Sequence, residues 1–253
     1  MSGHNKWSSI KHKKGAADAR RGKLFSRLAK EITVSARSGG GDPEMNPRLR
    51  SAIDVAKNAN VPSENIDRAV KKGTGDLGGG PLEELIYEGY GPGGVAIMVS
   101  CLSDNRNRTA AAMRACFSRY NCNLGANGAV SWMFSRKARF VIEGEKADEM
   151  ELMEILIEAE VDAEEVDVGE GRAEITAPFE SFEAVSSALS EAEVPVNEST
   201  ITMLPENLIQ VDDLNEARQN IRLIEALEEE EDVQAVYSSL GFSDEVLEAL
   251  SNE

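Results

Sequence analysis

The stretch Thr74-Gly75-Asp76-Leu77-Gly78-Gly79-Gly80-Pro81 constrains this chain more than any other. Its glycines and proline leave neither a helix nor a strand a way through, so it is a linker and a domain boundary. Before it, the apolar residues recur only at helical spacing. Ala16 to Arg37 predicts a helix with Leu24, Phe25, Leu28 and Ile32 on one stripe. Gly39-Gly40-Gly41-Asp42-Pro43 ends it. Pro47 to Ala59 predicts a second helix around Leu49, Ile53 and Ala56, and Pro62 opens a third around Ile66, Ala69 and Val70, closed by Gly73. Three short helices make a small bundle with a thin core.

After the linker the pattern alternates. Leu82–Tyr90 and Val95–Leu102 predict strands joined by Gly91-Pro92-Gly93-Gly94. The second, VAIMVSCL, is apolar almost throughout and belongs at the centre of a sheet. The glycine turn lacks the GxxxxGK[ST] spacing of a phosphate loop and reads as a hairpin. Ser103-Asp104-Asn105 supplies helix caps, Arg106–Arg119 a helix with Met113, Cys116 and Phe117 inward, and Ala129–Ser135 (AVSWMFS) a further strand.

From 136 to 204 the elements run β-α-β-β-α-β, the ferredoxin-like order: strand Ala138–Glu143, helix Asp148–Glu160 with Met150, Met153 and Ile157 among its apolar residues, strands Glu164–Val168 and Arg172–Ala177, helix Phe179–Ala192, strand Val196–Leu204. A helix at Asp212–Glu229, a strand at Asp232–Tyr237 and a short helix capped by Ser243 follow. The preceding region, 82–135, offers β-β-α-β, which leaves one sheet face under a single helix, and these late elements can complete it. The expected fold is therefore mixed α/β (α+β) with three domains: an N-terminal three-helix bundle with its arm (1–77), a discontinuous α/β middle domain (78–135 and 205–253) and an inserted ferredoxin-like domain (136–204).

Charge is divided as sharply as the fold. Residues 1–75 hold 16 Lys or Arg against 7 Asp or Glu, a net of +9, while 76–253 carry −27, within a chain of net −18. Ser2 to Lys30 alone has nine cations and one acid, Asp18, together with both histidines, His4 and His12, and Trp7. Lys/Arg-dense arms neutralise phosphate backbones and release counterions, and indole and imidazole stack on unpaired bases. Lys6, Trp7, Lys11, His12, Lys13, Lys14, Arg20, Arg21, Lys23, Arg27 and Lys30 are thus the candidate nucleic-acid contacts. A solvated tail or a targeting presequence is the alternative for a basic run of this kind. Arg48, Arg50, Arg106 and Arg108 are secondary candidates for phosphate or partner contacts. Arg106 and Arg108 sit in the first turn of a helix, where cations oppose the dipole. The run Glu228-Glu229-Glu230-Glu231-Asp232 is either a solvated helix end or an intramolecular mimic of phosphates that shields the arm.

No cofactor is expected. The sequence has no HExxH, GxSxG, P-loop or strand-to-helix GxGxxG. The three cysteines, Cys101, Cys116 and Cys122, form no CxxC pair, and with both histidines in the arm no metal site is expected. No apolar run approaches the ~18 residues of a membrane span, and no signal-peptide core opens the chain, so a cytoplasmic protein with no membrane role is expected.

The segments MSGHNKWSSIKHKK, DARRGKLFSRLAKEI, SGGGDPEMNPRLRSAIDVAKNANVP, IYEGYGPGGVAIMV, LSDNRNRTAAAMR and NLGANGAVSWMF closely resemble the YebC/PmpR family. The likeness runs over nearly the whole chain and is densest in its first 135 residues. Asn121-Cys122 stands where the family usually has a glycine pair, and Ala129 where serine is common. The resemblance implies a three-domain, non-enzymatic protein of the bacterial cytoplasm, with Lys6, Trp7, Lys11, Lys13, Lys14, Arg20, Arg21 and Lys23 as binding residues. It implies a DNA-binding transcriptional regulator or, as in the organellar translational activators and ribosome-associated bacterial members, a translation factor; in the second case a flexible basic arm with one aromatic suits entry into ribosomal RNA. Because Met1 aligns with the family start, the presequence reading weakens.

Overall fold

The computed structural model describes residues 17–77, 82–169 and 171–251. Three helices come first: α1 (Ala17–Gly39), α2 (Pro47–Asn58) and α3 (Ser63–Thr74). Asn46 caps α2 by accepting the Leu49 N–H, and its amide also donates to the Ser35 and Gly40 carbonyls, which fixes the turn between α1 and α2. Ile32, Ala36, Leu49, Ile53, Ala56, Ile66 and Ala69 form the bundle core. Leu24, expected on the inner stripe, is exposed; α1 turns Phe25, Leu28 and Ile32 inward instead. Gly73 does not close α3. That role belongs to Gly75, left-handed at φ 92, while Gly73 is the close-approach residue, where a Cβ would meet Ala36 Cβ at 2.7 Å.

The second layer is a sheet ordered β3-β1-β2-β9, from β1 (Glu83–Tyr90), β2 (Ala96–Ser103), β3 (Asn123–Leu124) and β9 (Val233–Ser238). β2 is central, as its apolar run requires, pairing antiparallel with both β1 and β9. Its Ile97, Val99 and Cys101 face α4 (Arg106–Arg119), α7 (Leu214–Glu229) and α8 (Asp244–Ser251) in one core with Met113, Phe117, Leu223 and Leu227. Ala96 and Met98 point to the other face and pack with Val130, Phe134, Met203 and Tyr237. A short parallel pair, β8 (Ile209–Val211) with β10 (Leu240–Phe242), went unpredicted.

Between β3 and β9 lies the ferredoxin-like unit: β4 (Phe134–Glu143), α5 (Glu149–Glu158), β5 (Glu165–Gly169), β6 (Arg172–Pro178), α6 (Phe182–Glu191) and β7 (Glu198–Pro205). Its sheet order is β5-β6-β4-β7, antiparallel throughout. The fold is thus mixed α/β with a discontinuous middle part.

One further reading needs correction. Ala129–Ser135 is no strand: Ser131–Met133 is a single 3-10 turn, and β4 begins only at Phe134. On α5, Leu152 and Leu156 face the core, whereas Met150 and Ile157 are 83% and 69% exposed. The helix has two apolar stripes, and the sheet takes the one with leucines.

Candidate nucleic-acid interface

Of the arm candidates, Lys6, Trp7, Lys11, His12, Lys13 and Lys14 lie outside the described residues, and Arg20 and Arg21 fall in the first two turns of α1. The structure brings the other three together. Lys23, Arg27 and Lys30 are spaced four and three apart, so they share one face of α1. That face meets the C-terminal end of α7. Lys23 Nζ donates to the Glu229 carbonyl at 3.0 Å, Arg27 donates to the Glu228 carbonyl, and Lys30 Nζ donates to the Glu231 carbonyl at 3.0 Å and to Asp232 Oδ1 at 2.9 Å. The unpaired carbonyls of a helix end carry partial negative charge, which is what these cations find. The acid run Glu228–Asp232 therefore engages the basic helix through backbone carbonyls, through the charge of Glu228 beside Arg27 and through the Asp232 carboxylate.

Asp232 is buried, 6% exposed. Besides Lys30 it accepts from Arg108 at 2.9 Å, Ser103 Oγ at 3.0 Å and Thr109 Oγ1 at 2.8 Å. Burial alone raises its carboxyl; the hydrogen bonds from Lys30, Arg108, Thr109 and Ser103 outweigh it and hold the group well below the ordinary carboxylate range. One side chain thus joins α1, the β2–α4 turn and the start of β9.

The secondary candidates are largely engaged within the chain. Arg108 is taken by Asp232 and Asp104, carboxylates of its own chain. Arg48 bridges Glu31 and Glu84 at 2.9 and 2.8 Å, tying the bundle to β1. Arg50 donates to the Pro43 and Glu44 carbonyls. Arg106 is exposed on the first turn of α4.

Sequence reasoning missed a second constellation, at the far end of β1. Glu88 is 5% exposed, yet its carboxylate accepts the Gly128, Val130 and Ser131 N–H groups, each at 2.7 Å, and its carbonyl accepts from Gly125 N at 2.7 Å. Burial raises the Glu88 carboxyl, and the three backbone donors together bring it below its ordinary value. These bonds hold the segment 125–131 in a fixed turn and explain why AVSWMFS does not extend from Ala129. Val130 and Phe134 plug the sheet's second face, and Trp132 between them is 72% exposed. The Gly-Ala-Asn-Gly run before it is a turn signal that could have identified the turn; nothing local points to Glu88.

Among the described residues no group of three or more His, Cys, Asp or Glu is placed to hold a metal ion, and no helix is long and apolar enough to cross a membrane. Cys101, Cys116 and Cys122 are free and buried; burial pushes the Cys101 thiol up to about 12 and Cys116 to about 11, far from the thiolate a nucleophile needs at neutral pH.

Comparison with known proteins agrees over the whole length. Residues 5–76 match the family model described as the TACO1/YebC protein N-terminal domain, and residues 82–240 match the TACO1/YebC second and third domain. A probable transcriptional regulatory protein of Desulfosudis oleivorans is 53% identical over 249 residues, covering 98% of this chain and all of the relative. One from Geobacter sulfurreducens is 49% identical over 250 residues, covering 99% of this chain and all of the relative. The crystal structure of a conserved hypothetical protein from Aquifex aeolicus superposes with a TM-score of 0.81 at 47% identity, covering 93% of this chain and 96% of that one. With two family models spanning most of its length and relatives near half identity from end to end, the chain belongs to the TACO1/YebC family.

Proposed function

We propose that this protein is a non-catalytic, cytoplasmic regulator of gene expression that binds nucleic acid through its N-terminal 30 residues. The observation that carries the reading is the segregation of charge: +9 on residues 1–75 against −27 on the remainder. A polyanion meets the basic part and is turned away by the rest. In this reading the boundaries at 77 and at 135 and 204 separate the binding part from an acidic body that faces other components.

The relatives are named as probable transcriptional regulators, which makes duplex DNA the first ligand to test. A second reading, an RNA- or ribosome-directed translation factor, is favoured by α3. Its Ile66, Ala69 and Gly73 are buried in the bundle, and its Lys71 and Lys72 fall in its last turn, not at the N-terminal end that a helix-turn-helix sets against base edges.

The test is the triple substitution Lys11→Glu, Lys13→Glu, Lys14→Glu in the full chain. Loss of binding to nucleic acid, with a shallower dependence of affinity on salt, is expected; binding with an unchanged salt slope would overturn the reading. Sedimentation of the two proteins from lysate separates the ligands. Wild type travelling with ribosomal particles while the variant stays at the top makes it a translation factor. Both staying at the top, with sequence-selective retardation of duplex DNA by wild type, makes it a transcriptional one.

A further inference from the structure

We propose that Trp132, with Tyr90 beside it, is a stacking platform for an unpaired nucleobase, a second nucleic-acid contact distinct from the basic arm. The inference rests on the nucleic-acid reading above and adds what that reading lacks, a site that recognises single-stranded rather than duplex structure.

A lone exposed apolar side chain needs no explanation. Trp132 is different because its loop is fixed. The Glu88 carboxylate and carbonyl take four N–H groups of 125–131, and Gly128 adopts φ 84, a left-handed angle natural to glycine. Gly125 lies so close to the loop's far side that a Cβ there would meet Ala129 Cβ at 2.9 Å. Val130 and Phe134 are buried on either side. A buried charge and a tight turn hold rigid a segment whose largest side chain faces water, the arrangement expected where an aromatic must be ordered before its ligand arrives.

The polar edges of the two rings identify the ligand chemistry. Trp132 Nε1 donates to the Ala129 carbonyl at 3.1 Å, and Tyr90 Oη donates to the same oxygen at 2.8 Å. At a protein–protein hot spot the indole N–H and the phenol are the groups free to bond the partner. Here both are satisfied internally, and what Trp132 leaves to solvent is its π surface. A π face recognises another π face, and a nucleobase offers one only when it is out of a duplex stack. The site also lies on the strand that is bonded to the helical bundle. Glu84, at one end of β1, is bonded to Arg48 of the bundle, and Tyr90 ends the strand, about 20 Å away at ~3.3 Å per residue.

The experiment measures the full-length protein against three probes of about 16 nucleotides, a length at the upper end of single-strand site sizes: a single-stranded RNA, a single-stranded DNA of the same sequence, and the corresponding duplex. Trp7→Phe leaves Trp132 as the sole tryptophan. Its emission should be quenched by the single strands and not by the duplex. Trp132→Ala should weaken single-strand binding by roughly 5- to 150-fold, the range of one lost base stack, while duplex binding and the salt slope stay as in wild type. Trp132→Phe should recover most of the loss. Equal binding of all probes by wild type and Trp132→Ala would overturn the platform, and so would an equal loss for single strand and duplex. If the arm triple variant loses binding while Trp132→Ala does not, only the platform fails. If the arm variant binds undiminished with an unchanged salt slope, the arm reading fails whatever Trp132 does.

Discussion

Asp232 and Glu88 are carboxylates of nearly equal burial, and they are kept charged by opposite means. Asp232 is held by side chains drawn from distant segments, Lys30 and Arg108 with Ser103 and Thr109. Glu88 is held by backbone N–H groups of one short loop. The first arrangement ties helices and strands from both ends of the chain to one another. The second shapes a single turn and the residue it presents. A buried charge therefore does not announce its role; the origin of its donors does. Cations contributed from afar make a junction, and main-chain donors in sequence make a template.

The largest effect that separates the two is expected at Glu88. Glu88→Ala orphans three backbone donors that cannot reorient without remaking the turn, at ~1–3 kcal/mol for each one left unsatisfied, so a loss of about 3–5 kcal/mol in urea unfolding is expected. In the Trp7→Phe background the emission of Trp132 should change as well. Glu88→Gln keeps one acceptor and should lose less. A variant that unfolds like wild type with unchanged emission would show that the loop is held by its plugs Val130 and Phe134 alone.

Asp232→Ala comes next, with an expected loss of about 2–4 kcal/mol, below the full penalty for a broken buried pair because Arg108 is half exposed and can turn to water. The distinguishing result is where protection falls. Amide exchange should rise first in α1 and at the start of β9, and the 125–131 loop should stay protected. The reverse pattern would break the contrast.

Both carboxyls lie below their ordinary values, so the unfolded chain binds protons that the native one refuses. The stability each contributes is complete above the unfolded value, ~4, and is lost as pH falls below it. The melting temperature should fall on acidification from pH 5 to 3, and the fall should be shallower in Asp232→Asn than in wild type. An identical acid limb in the variant would remove Asp232 from the acid response. The smallest effect belongs to an exposed bridge: Arg48→Ala, which breaks the link to Glu31 and Glu84, should cost about 0.5 kcal/mol or less, and that only at low salt.

Much of this architecture was legible along the chain because it is local. VAIMVSCL has the apolar continuity of a central strand, Ser103-Asp104-Asn105 caps its helix, and the alternation from 136 to 204 spells the ferredoxin-like order. What escaped was set by partners far away. The turn at Ser131–Met133 is imposed by a carboxylate some 40 residues earlier, so an apolar run was read as a strand. On α5, Met150, Met153 and Ile157 are as periodic as Leu152 and Leu156, and only the sheet's position chooses between the stripes. The acid run Glu228–Asp232 was readable as a shield for the basic arm, but that Lys23, Arg27 and Lys30 would meet it, and mostly through its backbone carbonyls, is set by packing about 200 residues apart and not by composition. The pair β8–β10 is three residues long on each strand, too short for any period to show.

The junction at Asp232 also has a consequence for synthesis. Lys30 precedes its acidic partner by 202 residues, and the strand that flanks β2 begins at Val233. At ~5–20 residues per second, about 10–40 s pass between the emergence of the basic helix and that of its resting place. By the end of that interval the ferredoxin-like unit is complete, while the basic helix is still unmatched and the edge of the central strand still open. The first helix to be made is thus among the last to be anchored.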